Sequence, residues 1–153
     1  MTKDVLFSLT KGAFAPQEEM LEVARKKGKL FIGIPKEIAY QENRVALVPD
    51  AVALLVNNGH KIIIEAGAGK AASFEDNDYS EAGAEIVYSP NDGFKADVIF
   101  KIAPPTLEEI ELMQPKQTLF SALQLTVQPQ DFLKKLITKK LNCIAYELII
   151  DDA

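Results

Sequence analysis

The sequence predicts an α/β fold, a mainly parallel β-sheet with helices on both of its faces. Three observations predict it. Short apolar runs of strand length recur from residue 30 onward, helical patterns separate them, and most of the runs are apolar throughout rather than alternating. Strands joined through helices at this spacing form βαβ units, which are parallel. Near-continuous apolar runs suit strands covered on both faces.

The strands are placed at residues 30–34, 61–65, 85–88, 97–102, 118–123 and 142–148, each rich in Ile, Val or Phe and bounded by Gly, Pro or charge. Between the first two, Asp50 is placed as the cap of a helix over 51–57. Its apolar residues are Val52, Leu54, Leu55 and Val56, and Asn58-Gly59 stops it. A shorter helix is expected over 76–82, ended by Gly83. Residues 106–113 open on a capping-box pattern, Thr106 with Glu109 three positions later. Residues 130–140 put Phe132, Leu133, Leu136 and Ile137 on one helix face, while Lys134, Lys135, Lys139 and Lys140 make the wet face. Residues 1–29 read as an N-terminal extension with a helix over 16–27. Pro16 stands at its start, and Arg25-Lys26-Lys27 fill its last turn before Gly28.

A length of 153 residues suits one domain, and 48% hydrophobic with 25% charged residues is an ordinary globular balance. Such a domain buries a core without metal or disulfide support. The net charge of −5 has both signs spread along the chain, with no basic stripe for nucleic acid. Residues 1–13 lack the pattern of a signal peptide, and the longest apolar stretches are too short to span a membrane. The single cysteine, Cys143, cannot form an internal disulfide, so a reducing, cytoplasmic location is expected. One histidine and one cysteine exclude an intramolecular Cys/His zinc site. A strand of the last kind normally leads into another helix. The chain therefore reads as a piece ending at a domain boundary.

In an open α/β sheet, ligands bind beyond the carboxyl ends of the strands. The first strand is followed by Pro35-Lys36-Glu37 and then Gln41-Glu42-Asn43-Arg44. Lys101 lies just inside the fourth strand, ahead of Ala103-Pro104-Pro105, and Gln124 follows the fifth. This rim offers Lys36, Arg44, Lys101 and Gln124 with few acids, which suits a small carboxylate or a phosphate. Arg44 is the best carboxylate candidate, because its planar fork can bind two oxygens at once. On its own, it reads first as a solvated loop residue. His60 stands at the amino end of its strand and reads as structural. Cys143 reads as inert core. Gly67-Ala68-Gly69 follows a strand, but the third glycine of a dinucleotide fingerprint is missing, and a tight loop is expected. No nucleophile stands beside a histidine, so the residues alone define no catalytic set.

Several segments, in order and at consistent spacing, resemble the alanine dehydrogenase/nicotinamide nucleotide transhydrogenase family. They are Ile32-Gly33-Ile34-Pro35-Lys36-Glu37, Asn43-Arg44-Val45-Ala46-Leu47-Val48-Pro49, Asn58-Gly59-His60 and Glu65-Ala66-Gly67-Ala68-Gly69. The pattern continues through Ser73-Phe74, Ala82-Gly83-Ala84-Glu85-Ile86, Ile99-Phe100-Lys101-Ile102, Leu119-Phe120-Ser121 and Ala145-Tyr146-Glu147. The resemblance covers roughly residues 30–150. It implies that residues 30–153 form a Rossmann-like (flavodoxin-like) N-terminal, substrate-side domain. A second domain, with no counterpart in this sequence, would hold NAD or NADP.

The resemblance gives Arg44 the role of an arginine that pairs with the carboxylate of pyruvate or alanine. Two positions depart from the dehydrogenase pattern. Dehydrogenases carry two lysines in a Lys-Val-Lys-Glu-Pro type segment; Lys101 matches the first, and Ala103 stands where the substrate-binding second is expected. Gln124 replaces a histidine in a Leu-His-Leu type segment. Glutamine hydrogen-bonds a ketone oxygen but exchanges no proton near neutral pH. Transhydrogenase α subunits lack both groups as well.

Three readings follow. The first is the substrate-side domain of an alanine dehydrogenase-like oxidoreductase, with substrate-binding Arg44, Lys101 and Gln124, hydride transfer in the complete protein, and no turnover by this chain alone. The second is a transhydrogenase α-type domain moving hydride between nucleotides. The third is a non-catalytic binding or assembly module. Expected partners are a small 2-oxo or 2-amino acid or a nucleotide, and assembly of the complete protein into a homo-oligomer.

Overall fold

A computed structural model describes residues 28–150; the helix expected over 16–27 lies outside them. Six strands form in the expected sequence order. They are β1 (Phe31–Ile34), β2 (Lys61–Glu65), β3 (Glu85–Val87), β4 (Val98–Phe100), β5 (Thr118–Ser121) and β6 (Asn142–Ala145). The helices are α1 (Pro49–Asn57), α2 (Asp76–Glu81), α3 (Pro90–Gly93), α4 (Leu107–Leu112) and α5 (Gln130–Lys139), with 3-10 turns at Lys70–Ala72 and Tyr146–Leu148.

The sheet order is β3-β2-β1-β4-β5-β6, and every neighbouring pair is parallel. This is the Rossmann order of the doubly wound folds. Chain direction across the sheet reverses at β1, which pairs with β2 on one side and β4 on the other. A cleft therefore opens between the carboxyl ends of β1 and β4.

Helices cover both faces. On one face Val52 of α1 and Tyr79 of α2 pack on Ile32, Ile34, Ile62 and Ile64. On the other, Ile110 of α4 and Phe132 and Leu136 of α5 pack on Ile63, Ile99 and Leu119. Each fully buried Ile or Leu contributes about 1.5–3 kcal/mol by leaving water. Gly33 sits where β1 passes under α3; a Cβ there would lie 2.3 Å from the Gly93 carbonyl oxygen. Buried Gln117 ties this region together, donating to Phe94 O at 2.7 Å and Ala96 O at 2.6 Å. None of the helices among the described residues is long and apolar enough to cross a membrane.

Several boundaries differ from the sequence expectation. Val48, not Asp50, caps α1, because Pro49 opens the helix and needs no N–H partner there. Asp50 then stands in the first turn, where the helix dipole favours an acid. The last strand stops at Ala145, since its partner β5 ends at Ser121, and Tyr146–Leu148 turns into a 3-10 helix. Cys143 is exposed rather than core. It lies on edge strand β6, where Leu123, Leu133, Ile137 and Leu148 border an open apolar groove. His60 has the expected structural role, its Nδ1 accepting the Leu30 N–H at 3.0 Å. Lys135 and Lys139, half-buried rather than on the wet face, tie α5 to α4 through Glu111, at 2.9 and 3.0 Å.

Candidate functional site

The carboxyl end of β1 is locked to that of β4 by Glu37. Its Oε1 accepts the Ile102 N–H at 2.6 Å, and its Oε2 lies 3.2 Å from Lys101 Nζ. Lys101 is only 2% exposed. Its ammonium also lies 2.9 Å from Glu109 Oε1. Glu109 is the acidic partner of the α4 capping box, its Oε2 accepting the Thr106 N–H at 2.8 Å. One carboxylate thus serves the helix cap and the buried lysine together. The cluster holds one cation and two acids in the low-dielectric interior, where a pair persists only with good geometry and further hydrogen bonds.

Arg44 follows a tight turn in which the Glu42 N–H donates to Ala39 O at 3.1 Å. Gln41 adopts the left-handed region there, with φ of 59°. The turn sends the Glu42 carboxylate back toward Arg44. Arg44 Nε donates to Oε1 at 2.8 Å, NH2 to Oε2 at 2.7 Å, and the Arg44 backbone N–H to Oε1 at 3.0 Å. The Glu42 side chain is 13% exposed and that of Arg44 72% exposed. The Arg44 side-chain hydrogen bonds hold the Glu42 carboxyl down to about 2, and Glu42 in turn raises the Arg44 pKa.

Arg44 and Lys101 share a pocket of about 340 Å³ with Leu47, Phe100, Phe120 and Tyr146. Phe100 packs against Phe120 at 5.1 Å, and Phe120 stacks on Tyr146 at 5.6 Å between centroids. The Tyr146 hydroxyl donates to Ile102 O at 3.1 Å and fixes the last ring. Small-ligand sites have this character, an apolar wall with few convergent polar groups. A larger cavity of about 560 Å³ lies against β2 and β3, but the pair between Lys61 and Glu85 spans it at 3.1 Å. It sits away from the cleft.

Gln124 is not among the residues lining the Arg44 pocket. It stands beyond β5 in the left-handed region, φ 48°, with its N–H donating to Glu147 Oε1 at 2.7 Å. Ala103 presents a methyl group, and its carbonyl accepts the Ser121 hydroxyl at 2.8 Å.

The rim carries more acid than the sequence suggested. Glu37, Glu42, Glu109 and Glu147 all fold onto it; Glu42 pairs with Arg44, and Glu37 and Glu109 pair with Lys101. Of these, Glu109 was visible as a helix cap. The others needed the fold, because charge spacing does not tell which side chain turns back.

The glycine loop after β2 does not fit a dinucleotide. The Gly67 N–H, which a phosphate would need, donates to Asp76 Oδ1 at 2.7 Å. Gly69 is pressed against the Tyr79 ring, and a short 3-10 turn follows in place of a glycine-opened helix.

Residues 33–153 match the family described as "Alanine dehydrogenase/PNT, N-terminal domain". The chain is 39% identical over 120 residues to an alanine dehydrogenase of Bacillus subtilis, and 43% identical over 121 residues to one of Methanococcus maripaludis. Each match covers 78% of this chain and 32% of the relative, so the chain spans about a third of the relatives' length. Among solved structures, an L-alanine dehydrogenase superposes with a TM-score of 0.73 at 42% identity, over 76% of this chain and 32% of that one. A transhydrogenase from Sinorhizobium meliloti also gives 0.73, at 28% identity, over 78% of this chain and 34% of that one.

Proposed function

The chain belongs to the alanine dehydrogenase/PNT N-terminal domain family, and from that membership we propose that it is the substrate-side domain of an alanine dehydrogenase-like oxidoreductase. The complete protein would interconvert L-alanine, NAD and water with pyruvate, ammonia and NADH. One observation carries this reading. Arg44 lies exposed at the mouth of an aromatic-walled pocket, at the cleft where the sheet order reverses. A guanidinium there suits the carboxylate of a small 2-oxo or 2-amino acid, whose short side chain would rest on Phe120 and Tyr146.

Lys101 acts from beneath. Its pairs with Glu37 and Glu109 fix the end of β4 under the pocket. Gln124, across the cleft rim, can hydrogen-bond a carbonyl oxygen. NAD or NADP would be held by another domain, since the glycine loop here has no free phosphate cradle. This chain by itself is accordingly expected to give no turnover.

A second reading, a transhydrogenase α-type domain, draws on Ala103 and Gln124. These residues supply neither the ammonium nor the proton-exchanging group expected of a dehydrogenase at those places.

The complete protein decides between them. NADH oxidation with pyruvate and ammonium, lost in Arg44→Ala, supports the first. Hydride transfer only to an NAD(P) analogue supports the second and sinks the first.

A further inference from the structure

We propose that Glu42 is a positioning residue for the carboxylate site, gripping one edge of the Arg44 guanidinium so that the adjoining edge is presented to the substrate in a fixed direction. This rests on the reading of Arg44 as the carboxylate contact.

The donors divide cleanly. A guanidinium has five N–H groups in a rigid plane. Glu42 takes the Nε–H and one N–H of NH2. Both N–H groups of NH1 and the second of NH2 remain, and they form another two-toothed edge of the kind a carboxylate fits. Without a partner, an arginine this exposed samples many rotamers, and ligand binding must then bear the cost of ordering it. The grip removes that cost beforehand.

Glu42 is itself well anchored. It is largely buried, its N–H is bonded in the turn closed by Ala39, and its Oε1 accepts the Arg44 backbone N–H as well. Gln41, in the left-handed region, sits inside that turn. A merely solvated arginine needs none of this.

The grip has an electrostatic consequence. The Glu42–Arg44 pair is neutral, so a distant anion feels little attraction. Recognition then comes from the direction of the free edge rather than from charge alone. A competing role is also defined: if Glu42 merely occupied Arg44, its removal would improve substrate binding.

The test uses the complete protein with Glu42→Gln, which keeps shape and removes charge. The expected result is a KM for pyruvate raised roughly tenfold, with kcat within about twofold, as for loss of binding shared by ground and transition states. Glu42→Asp, which keeps the charge but withdraws it by one methylene, should fall between the two proteins. It also serves if the glutamine variant fails to fold. Modification of Arg44 by phenylglyoxal, followed by peptide mass mapping, gives a second readout. It should be faster in Glu42→Gln, and pyruvate should slow it in the unmutated protein. A KM that is unchanged or lower in a folded variant overturns the proposal. Faster modification without protection by pyruvate shows that the grip exists but the carboxylate reading is wrong, and the proposal falls with that reading.

Discussion

Lys101 holds its ammonium 2.9 Å from the Glu109 carboxylate, with both side chains almost fully enclosed. Glu37 approaches the same ammonium from the end of β1 at 3.2 Å. Removing the lysine would leave two carboxylates facing each other out of water. Lys101→Met is therefore expected to cost about 3–5 kcal/mol in urea unfolding at neutral pH. Lys101→Met combined with Glu109→Gln should recover part of that loss. A cost below about 1 kcal/mol for the single change would show that water reaches the cluster.

Tyr79 links the helix layer to the segment that carries Arg44. Its buried hydroxyl donates to Leu47 O at 2.9 Å. Tyr79→Phe should cost about 1 kcal/mol, the value of one hydrogen bond lost with its acceptor left behind. Gly69→Ala should cost more, about 1–3 kcal/mol, because its Cβ would come within 2.5 Å of Tyr79 Cε2 and displace the ring. Thermal unfolding of the two variants checks the order.

Gly33→Ala drives a methyl group to 2.3 Å from the Gly93 carbonyl oxygen, a backbone atom with little room to retreat. A loss of about 3 kcal/mol, or failure to fold, is expected. Gly28→Ala meets nothing within 4 Å and should be close to neutral. Equal stability for the two variants would refute the close approach of α3 to β1.

The Glu42 carboxyl, held at about 2 by Arg44, has a defined pH signature. A folded pKa below the unfolded value of roughly 4.3 means that the unfolded chain binds the proton more readily. The stabilisation is fully present above about pH 4.3 and is lost as pH falls through about 2. Glu42→Gln should flatten the slope of stability against pH in that window and leave it unaltered near neutrality. Identical acid slopes in the two proteins would contradict the pairing.

Much of the fold was legible because a parallel sheet leaves its mark in composition. All six strands announced themselves as apolar runs, and the Thr106–Glu109 cap was readable from two residues. The Pro90–Gly93 turn was not, since Pro, Asn, Asp and Gly read as loop chemistry. Residues 146–148, Tyr-Glu-Leu, alternate as a strand can, yet β5 had already ended beside them, and no sequence pattern reveals where a partner stops. Cys143 went wrong for a related reason: being an edge strand is a property of the whole sheet. Arg44 and Lys101, named from the rule about carboxyl ends, line one pocket. The role of Glu37 was hidden, because it meets Ile102 from 65 positions away, and nothing in the spacing of Glu42 and Arg44 shows that their side chains turn toward each other.

The pairing of β1 with β4 joins segments far apart in the chain, and it is expected to form after more local contacts. β1, β2 and β3 follow one another along the chain, each joined to the next through a helical crossover. Gly33 must wait for Ile99 before its other side is satisfied. Non-local pairing of this kind is the slow part of folding, since a long loop closes before any contact repays it. The Glu37 bridge and the Arg44 pocket both straddle that seam. The candidate site is therefore expected to form late in folding, and a carboxylate bound there is expected to slow the opening of the seam more than the melting of the β1–β3 half.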